Sequence, residues 1–93
     1  MLVGLYQLEL FIPESGSLKS KRFVLKSLKD KIRSKFNVSV AEVDENERWQ
    51  RAVLGIAMVC NERKFIDQVM NQIFNLVSEE SEVEITNQQL EIL

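Results

Sequence analysis

A chain of 93 residues with 45% hydrophobic content fits one domain, residues 1–93, and leaves no room for a second. No stretch nears the roughly 20 apolar residues that a bilayer span requires, and one cysteine (Cys60) without any histidine excludes an internal disulfide and a Cys/His zinc site. The net charge of −2 conceals an asymmetry: residues 17–36 hold eight lysines and arginines against Asp30, a net +7, while the remainder carries −9.

Residues 2–12 alternate, with Leu2, Tyr6, Leu8, Leu10 and Ile12 on one side and Gln7 and Glu9 on the other, which predicts a first strand. Its start lacks the basic segment and cleavage site of a secretory leader, so a cytoplasmic location is expected. Pro13, Ser15 and Gly16 break the pattern, and Ser17 is placed to cap a helix. In that helix Leu18, Leu25, Leu28, Ile32 and Phe36 fall within about 80° of one another, forming a core-facing stripe. Arg22, Lys26, Lys29 and Arg33 run beside it at i, i+4, i+7 and i+11, with Lys19 at the N-terminal end of the same row. The result is a continuous basic ridge. Phe23 lies opposite the stripe and is expected to be exposed.

The segment FNVSVAEVD, residues 36–44, is rich in β-branched residues and predicts a second strand. Val38, Val40 and Val43 do not share one parity, so a bulge is expected near Ala41 and Glu42. After the connection ENERWQ, the nearly continuous apolar run RAVLGIAMVC predicts a central strand buried on both faces, in which Gly55 marks a close approach or a kink. Asn61 is expected to cap a second helix, where Phe65, Ile66, Val69, Met70, Ile73, Phe74 and Val77 recur at helical spacing. The segment SEVEITNQQLEIL predicts a last strand with a parity break between Ile85 and Leu90.

This βαββαβ order predicts an α+β, ferredoxin-like domain: a four-stranded antiparallel sheet with two helices on one face. The opposite face then carries Val3, Leu5, Gln7, Glu9 and Phe11 with Val53, Ala57 and Val59. So apolar an open face predicts a homodimer formed through it.

The basic ridge is the strongest functional signal. Clustered cations displace the counterions condensed on nucleic-acid phosphates, and five such contacts to a single strand give a salt slope of about −3.5. The plain alternative is a solvated face that merely stabilises its helix. The central run RAVLGIAMVC has no aromatic residue on which a base could stack, so phosphate contact through Lys19, Arg22, Lys26, Lys29 and Arg33 is expected rather than base reading on the sheet. Trp49, Gln50 and Arg51 mark an interface or a second contact, because tryptophan and arginine are enriched where partners meet; the plain alternative, and the favoured one for Trp49, is a structural role covering the sheet end or the dimer seam.

Enzymatic chemistry is not expected. Glu42, Asp44, Glu45 and Glu47 surround a turn, where carboxylates are ordinarily solvated; no glycine-rich phosphate loop occurs, and no histidine is available to activate a serine. Cys60 ends an apolar strand, where an inert thiol is expected. No cofactor, metal or membrane partner is predicted.

Three stretches carry a family likeness: Ser17-Leu18-Lys19 with Lys21-Arg22, then Phe36-Asn37-Val38-Ser39-Val40-Ala41-Glu42-Val43, then Trp49-Gln50 with Ala52 and Leu54-Gly55. With the flanking elements matching in pattern, the chain resembles the YlxP-like family of bacterial proteins, a domain of unknown function. The resemblance implies the ferredoxin-like fold and no established reaction, substrate or cofactor. It also implies a connection to rRNA or the ribosomal particle, because such proteins are often encoded beside translation-initiation and ribosome-maturation factors. The loop Pro13-Glu14-Ser15-Gly16 departs from relatives that often place a glycine soon after the proline.

Two functional expectations result. One is a small RNA- or ribosome-associated accessory factor that grips phosphate backbone through its first helix. The other is a dimeric, non-enzymatic interaction module whose basic helix meets an acidic protein.

Overall fold

The computed structural model describes residues 1–93 and places six elements in the expected order. These are β1 (Leu2–Phe11), α1 (Leu18–Lys35), β2 (Ser39–Asp44), β3 (Arg51–Cys60), α2 (Arg63–Ser78) and β4 (Glu84–Ile92). The strands form one antiparallel sheet in the order β2-β3-β1-β4, consistent with an α+β ferredoxin-like fold. One face of β1 and β3 joins the apolar sides of both helices in a single core.

Period-two alternation explains how β1 contributes. Tyr6, Leu8, Leu10 and Ile12 are buried, while Leu5, Gln7 and Glu9 are exposed on the other face. In β3, Ala52, Leu54, Ile56 and Met58 point into the core. The expectation that β3 is buried on both faces is corrected: of the residues on its other side only Val53 is buried, and Val59 is 63% exposed. The apolar run does mark a central strand, but within one chain nothing covers that side of the sheet.

Two glycines permit close approaches across the sheet's two faces. A Cβ at Gly4 would lie 2.7 Å from Cγ2 of Ile66, so its absence lets α2 settle onto β1. On the open face, a Cβ at Gly55 would lie 2.7 Å from Cγ1 of Val43. Val43 reaches that position because it is the extra residue of a bulge: Glu42 pairs with Leu54 and Asp44 with Val53. The bulge therefore lies one residue beyond the Ala41–Glu42 position expected. A second bulge pairs Ile85 with Leu10 and Asn87 with Glu9, leaving Thr86 to account for the parity break in β4.

Ser17 caps α1 as expected, its hydroxyl accepting from the Ser20 N–H at 3.1 Å. Leu25, Leu28 and Ile32 bury the apolar stripe, and Arg33 and Lys35 complement the carbonyl end of the helix. The cap expected at Asn61 is not found. Glu62 occupies the N-cap position without a side-chain capping bond, and its carbonyl accepts from the Cys60 thiol at 3.1 Å. Ile66, Val69, Met70, Ile73 and Val77 form the buried side of α2, while Phe65 remains exposed at its margin.

Candidate functional site

Apart from Lys35 in the last turn, the cations of α1 divide into three groups by the direction in which they leave the helix. Lys21 turns inward and is only 1% exposed. Its ammonium donates to a Glu42 carboxylate oxygen at 2.8 Å, to the Glu45 carbonyl at 2.8 Å and to the Arg51 carbonyl at 3.0 Å, with the Asn46 carbonyl farther away at 3.4 Å. Three N–H groups thus find three close acceptors, one of them anionic, which offsets the several kcal/mol typical of desolvating an ion. Lys31 turns toward α2 and pairs with Glu80 at 2.7 Å.

The predicted row, Lys19, Arg22, Lys26, Lys29 and Arg33, follows the flank of α1 that faces the edge strand β2. Lys19, Arg22, Lys26 and Arg33 are exposed and Lys29 is half-buried. Asp30 is the row's internal counterion: Lys26 pairs with it at 2.9 Å, and Arg33 approaches it at 3.8 Å. The Lys26 hydrogen bond, more than the charges of Lys26, Arg33 and Lys29, holds the Asp30 carboxyl below its ordinary range. Arg33 also donates to the Val40 carbonyl at 2.8 Å, occupying an outward-facing acceptor of the sheet edge. Lys19, Arg22 and Lys29 form no ion pair. This arrangement offers three unengaged cations flanked by two partly neutralised ones.

The three residues of the second predicted group are directed to different places. Trp49 is exposed in the β2–β3 connection. Gln50 is committed to the frame: its side-chain amide donates to the Pro13 carbonyl at 2.9 Å, and its carbonyl accepts from the Ile12 N–H at 2.8 Å. Arg51 places its guanidinium 5.3 Å from the centroid of the Phe11 ring, on the open face of the sheet and away from the ridge. Among the nearby acids, Glu42 serves Lys21, Asp44 accepts from the Glu45 N–H, and Glu45 pairs with Arg48 at 3.4 Å.

Beyond Arg51, the open face has a shallow hollow of about 320 Å³ over Gly55, walled by Leu5, Ala41, Val43 and Ala57. Its acids stand to one side, Glu9 on β1 with Glu91 and Glu84 on β4, and Glu9 accepts a hydrogen bond from Asn87.

Residues 3–90 match the family described as "Protein of unknown function (DUF503)". The chain belongs to this family. It is 34% identical over 85 residues to "Uncharacterized protein YlxP" of Bacillus subtilis (strain 168), an alignment covering 91% of this chain and 92% of that relative. The YlxP-like resemblance is thereby borne out. Among solved structures, "De novo designed protein Foldit4" superimposes with a TM-score of 0.53 at 13% identity, covering 100% of this chain and 94% of that one, a likeness of fold alone.

Membership in DUF503 brings no stated activity, so the site rests on this chain's own side chains. The residue that sequence reasoning passed over is Lys21. A signal for it existed: it stands three residues after Leu18 and four before Leu25, inside the apolar stripe rather than beside it. A lysine at such a position must either leave the core or find acceptors within it.

Proposed function

We propose that the protein is a small, non-enzymatic RNA- or ribosome-associated accessory factor of the cytoplasm that binds phosphate backbone along the flank of α1. The observation that carries this reading is the row of five cations beside a single carboxylate, with Lys19, Arg22 and Lys29 free of ion pairs. Phosphates engaging only those three give a single-strand salt slope of about −2, and displacement of Asp30 from Lys26 and Arg33 raises it to about −3.5. Base reading on the sheet has little to work with, because beyond Arg51, which covers Phe11, the open side of β3 presents Val53, Gly55, Ala57 and Val59. Contacts are therefore to backbone, with low sequence preference.

Co-sedimentation with ribosomal particles at low and high salt tests the reading, using wild type and a variant with Lys19→Glu, Arg22→Glu and Lys29→Glu. Salt-sensitive co-migration that the folded variant loses is the expected result. Wild type remaining at the top of the gradient at both salts overturns it.

The same reading includes a homodimer joined through the open sheet face. The patch formed by Val3, Leu5, Ala41, Val43, Ala57 and Val59 carries no charge, while Glu9 and Arg51 lie toward the other end of the central strands and Glu84 and Glu91 on β4, so a second copy centred on the patch buries apolar area with those ions left at its margin. Ten-residue central strands in a four-stranded sheet present roughly 600 Å² per copy, near the ~800 Å² per partner of stable interfaces. Sedimentation equilibrium should give a dimer for wild type and a monomer for Leu5→Glu with Val59→Glu. A monomeric wild type at all concentrations removes the dimer and leaves the ridge untouched.

A further inference from the structure

Phe23 is 78% exposed and is the only large apolar side chain that α1 presents to solvent. An isolated exposed ring is unremarkable on most surfaces, but this one stands beside the N-terminal half of the basic row. Arg22 precedes it, Lys19 lies one turn before and Lys26 one turn after. The ring also separates two shallow hollows. One, of about 590 Å³, is lined by Lys19, Arg22, Lys26 and Glu82 together with Ser17, Ser20 and Val24. The other, of about 510 Å³, is lined by Lys26, Ser27, Asp30, Lys31 and Ser34.

The surroundings narrow what such a ring can receive. A protein partner docking on Phe23 would need several further apolar side chains beside it, yet Val24 is the one other apolar residue lining the two hollows, the rest being cations, hydroxyls and two carboxylates. Duplex RNA would satisfy the cations but has no base face to offer, since its bases are stacked within the helix. Single-stranded RNA supplies both groups: a planar base for the ring and phosphates on either side for the cations. Lys19 and Lys26 are separated by about 10 Å along the helix axis, with Phe23 between them.

We propose that Phe23 is a stacking platform for one base of single-stranded RNA, with the adjoining phosphates held by Lys19, Arg22 and Lys26. This deepens the phosphate-binding reading and rests on it. The platform selects single strands over duplexes while remaining tolerant of sequence, because every base has a π-face.

Fluorescence anisotropy with a labelled oligouridine of about twelve nucleotides, and with an RNA duplex of equal length, tests the proposal. Wild type, Phe23→Ala, Phe23→Trp and the combined Lys19→Glu, Arg22→Glu, Lys29→Glu variant are each titrated at low and moderate salt, with circular dichroism checking the fold. Wild type should prefer the single strand. Phe23→Ala should lose roughly 5- to 100-fold in affinity for it with an unchanged salt slope, and Phe23→Trp should retain binding. The charge variant should weaken binding to both RNAs. Equal affinities of wild type and Phe23→Ala, with the charge variant weakened, overturn the platform and leave the phosphate reading standing. Unchanged RNA affinity together with loss of a co-purifying protein assigns the ring to a protein contact and likewise overturns it. Failure of wild type to bind either RNA at low salt overturns both readings.

Discussion

The ammonium of Lys21 and the carboxylate of Glu42 meet at 2.8 Å, tying α1 to β2 across 21 positions of sequence. Removing one partner leaves the other without its counterion, together with carbonyls deprived of a donor. Lys21→Met should therefore cost about 3–5 kcal/mol of unfolding free energy, measured by urea denaturation. Adding Glu42→Leu should recover part of that loss, since no uncompensated carboxylate remains. A single variant as stable as wild type would show that the pair does not hold these elements together.

The two close-approach glycines make a matched pair with unequal outcomes. A Cβ added at either position falls 2.7 Å from a methyl group. Ile66 is fully buried and cannot yield, so Gly4→Ala should cost about 1–3 kcal/mol. Val43 is exposed and can swing toward solvent, so Gly55→Ala should cost about 1 kcal/mol or less. The added variant Val43→Ala should cancel that smaller penalty, a coupling that a double-mutant cycle reads directly.

Glu45 has φ of 64°, in the left-handed region that favours glycine. Its exposed contact with Arg48 contributes little, and its carbonyl, which serves Lys21, is kept by any replacement. Glu45→Gly should raise stability by about 0.5–1 kcal/mol, whereas Glu45→Val should lower it by more than about 1 kcal/mol. Thermal melts of the two variants should move in opposite directions.

Acid and alkali should act on opposite ends of the domain's stability profile. Burial pushes the Tyr6 hydroxyl, which donates to Gln88, above its ordinary value of 10.0. The folded state then holds that proton more tightly than the unfolded chain. Its contribution is complete below about pH 10 and is lost as pH rises through the folded value. Tyr6→Phe should flatten the alkaline limb. Asp30 works in the other direction: its lowered value gives a contribution present above its ordinary value of 3.8 and lost as pH falls through the folded one. Asp30→Asn should remove that part of the acid limb. Denaturation midpoints across the pH range check both.

Much of the architecture was readable because each element declares itself within a few residues: the alternation of β1, the Ser17 cap and the 3.6-residue period of α2 need no distant partner. The crowding of Gly55 was also signalled, since a glycine within a strand of branched residues implies an approaching atom. Lys21 is a different kind of feature. Its acceptors come from the β2–β3 hairpin more than 20 residues away, and charge counting included it in the basic segment without noting that its helical position lay in the apolar stripe. The same limit applied to Gln50 and Arg51, adjacent in sequence but directed to a loop carbonyl and to the open face of the sheet. At Asn61 a suitable side chain was present, but the helix begins one residue later, with Glu62 at the N-cap position. For the ridge, spacing gave the row, while the pairing of Asp30 with Lys26 and of Arg33 with the edge strand required three-dimensional placement.

The buried ammonium also bears on how the hairpin finds its alignment. Glu42 stands opposite Leu54 in the paired strands. A slip of β2 by one residue would bring Ala41 or Val43 to that position and turn Glu42 to the other face. Lys21 would then meet methyl groups in place of a carboxylate, an outcome penalised by several kcal/mol. Apolar packing alone discriminates weakly among the valines and alanine of this short edge strand. One lysine, contributed by a helix outside the hairpin, makes the misaligned pairings incompatible with a closed core.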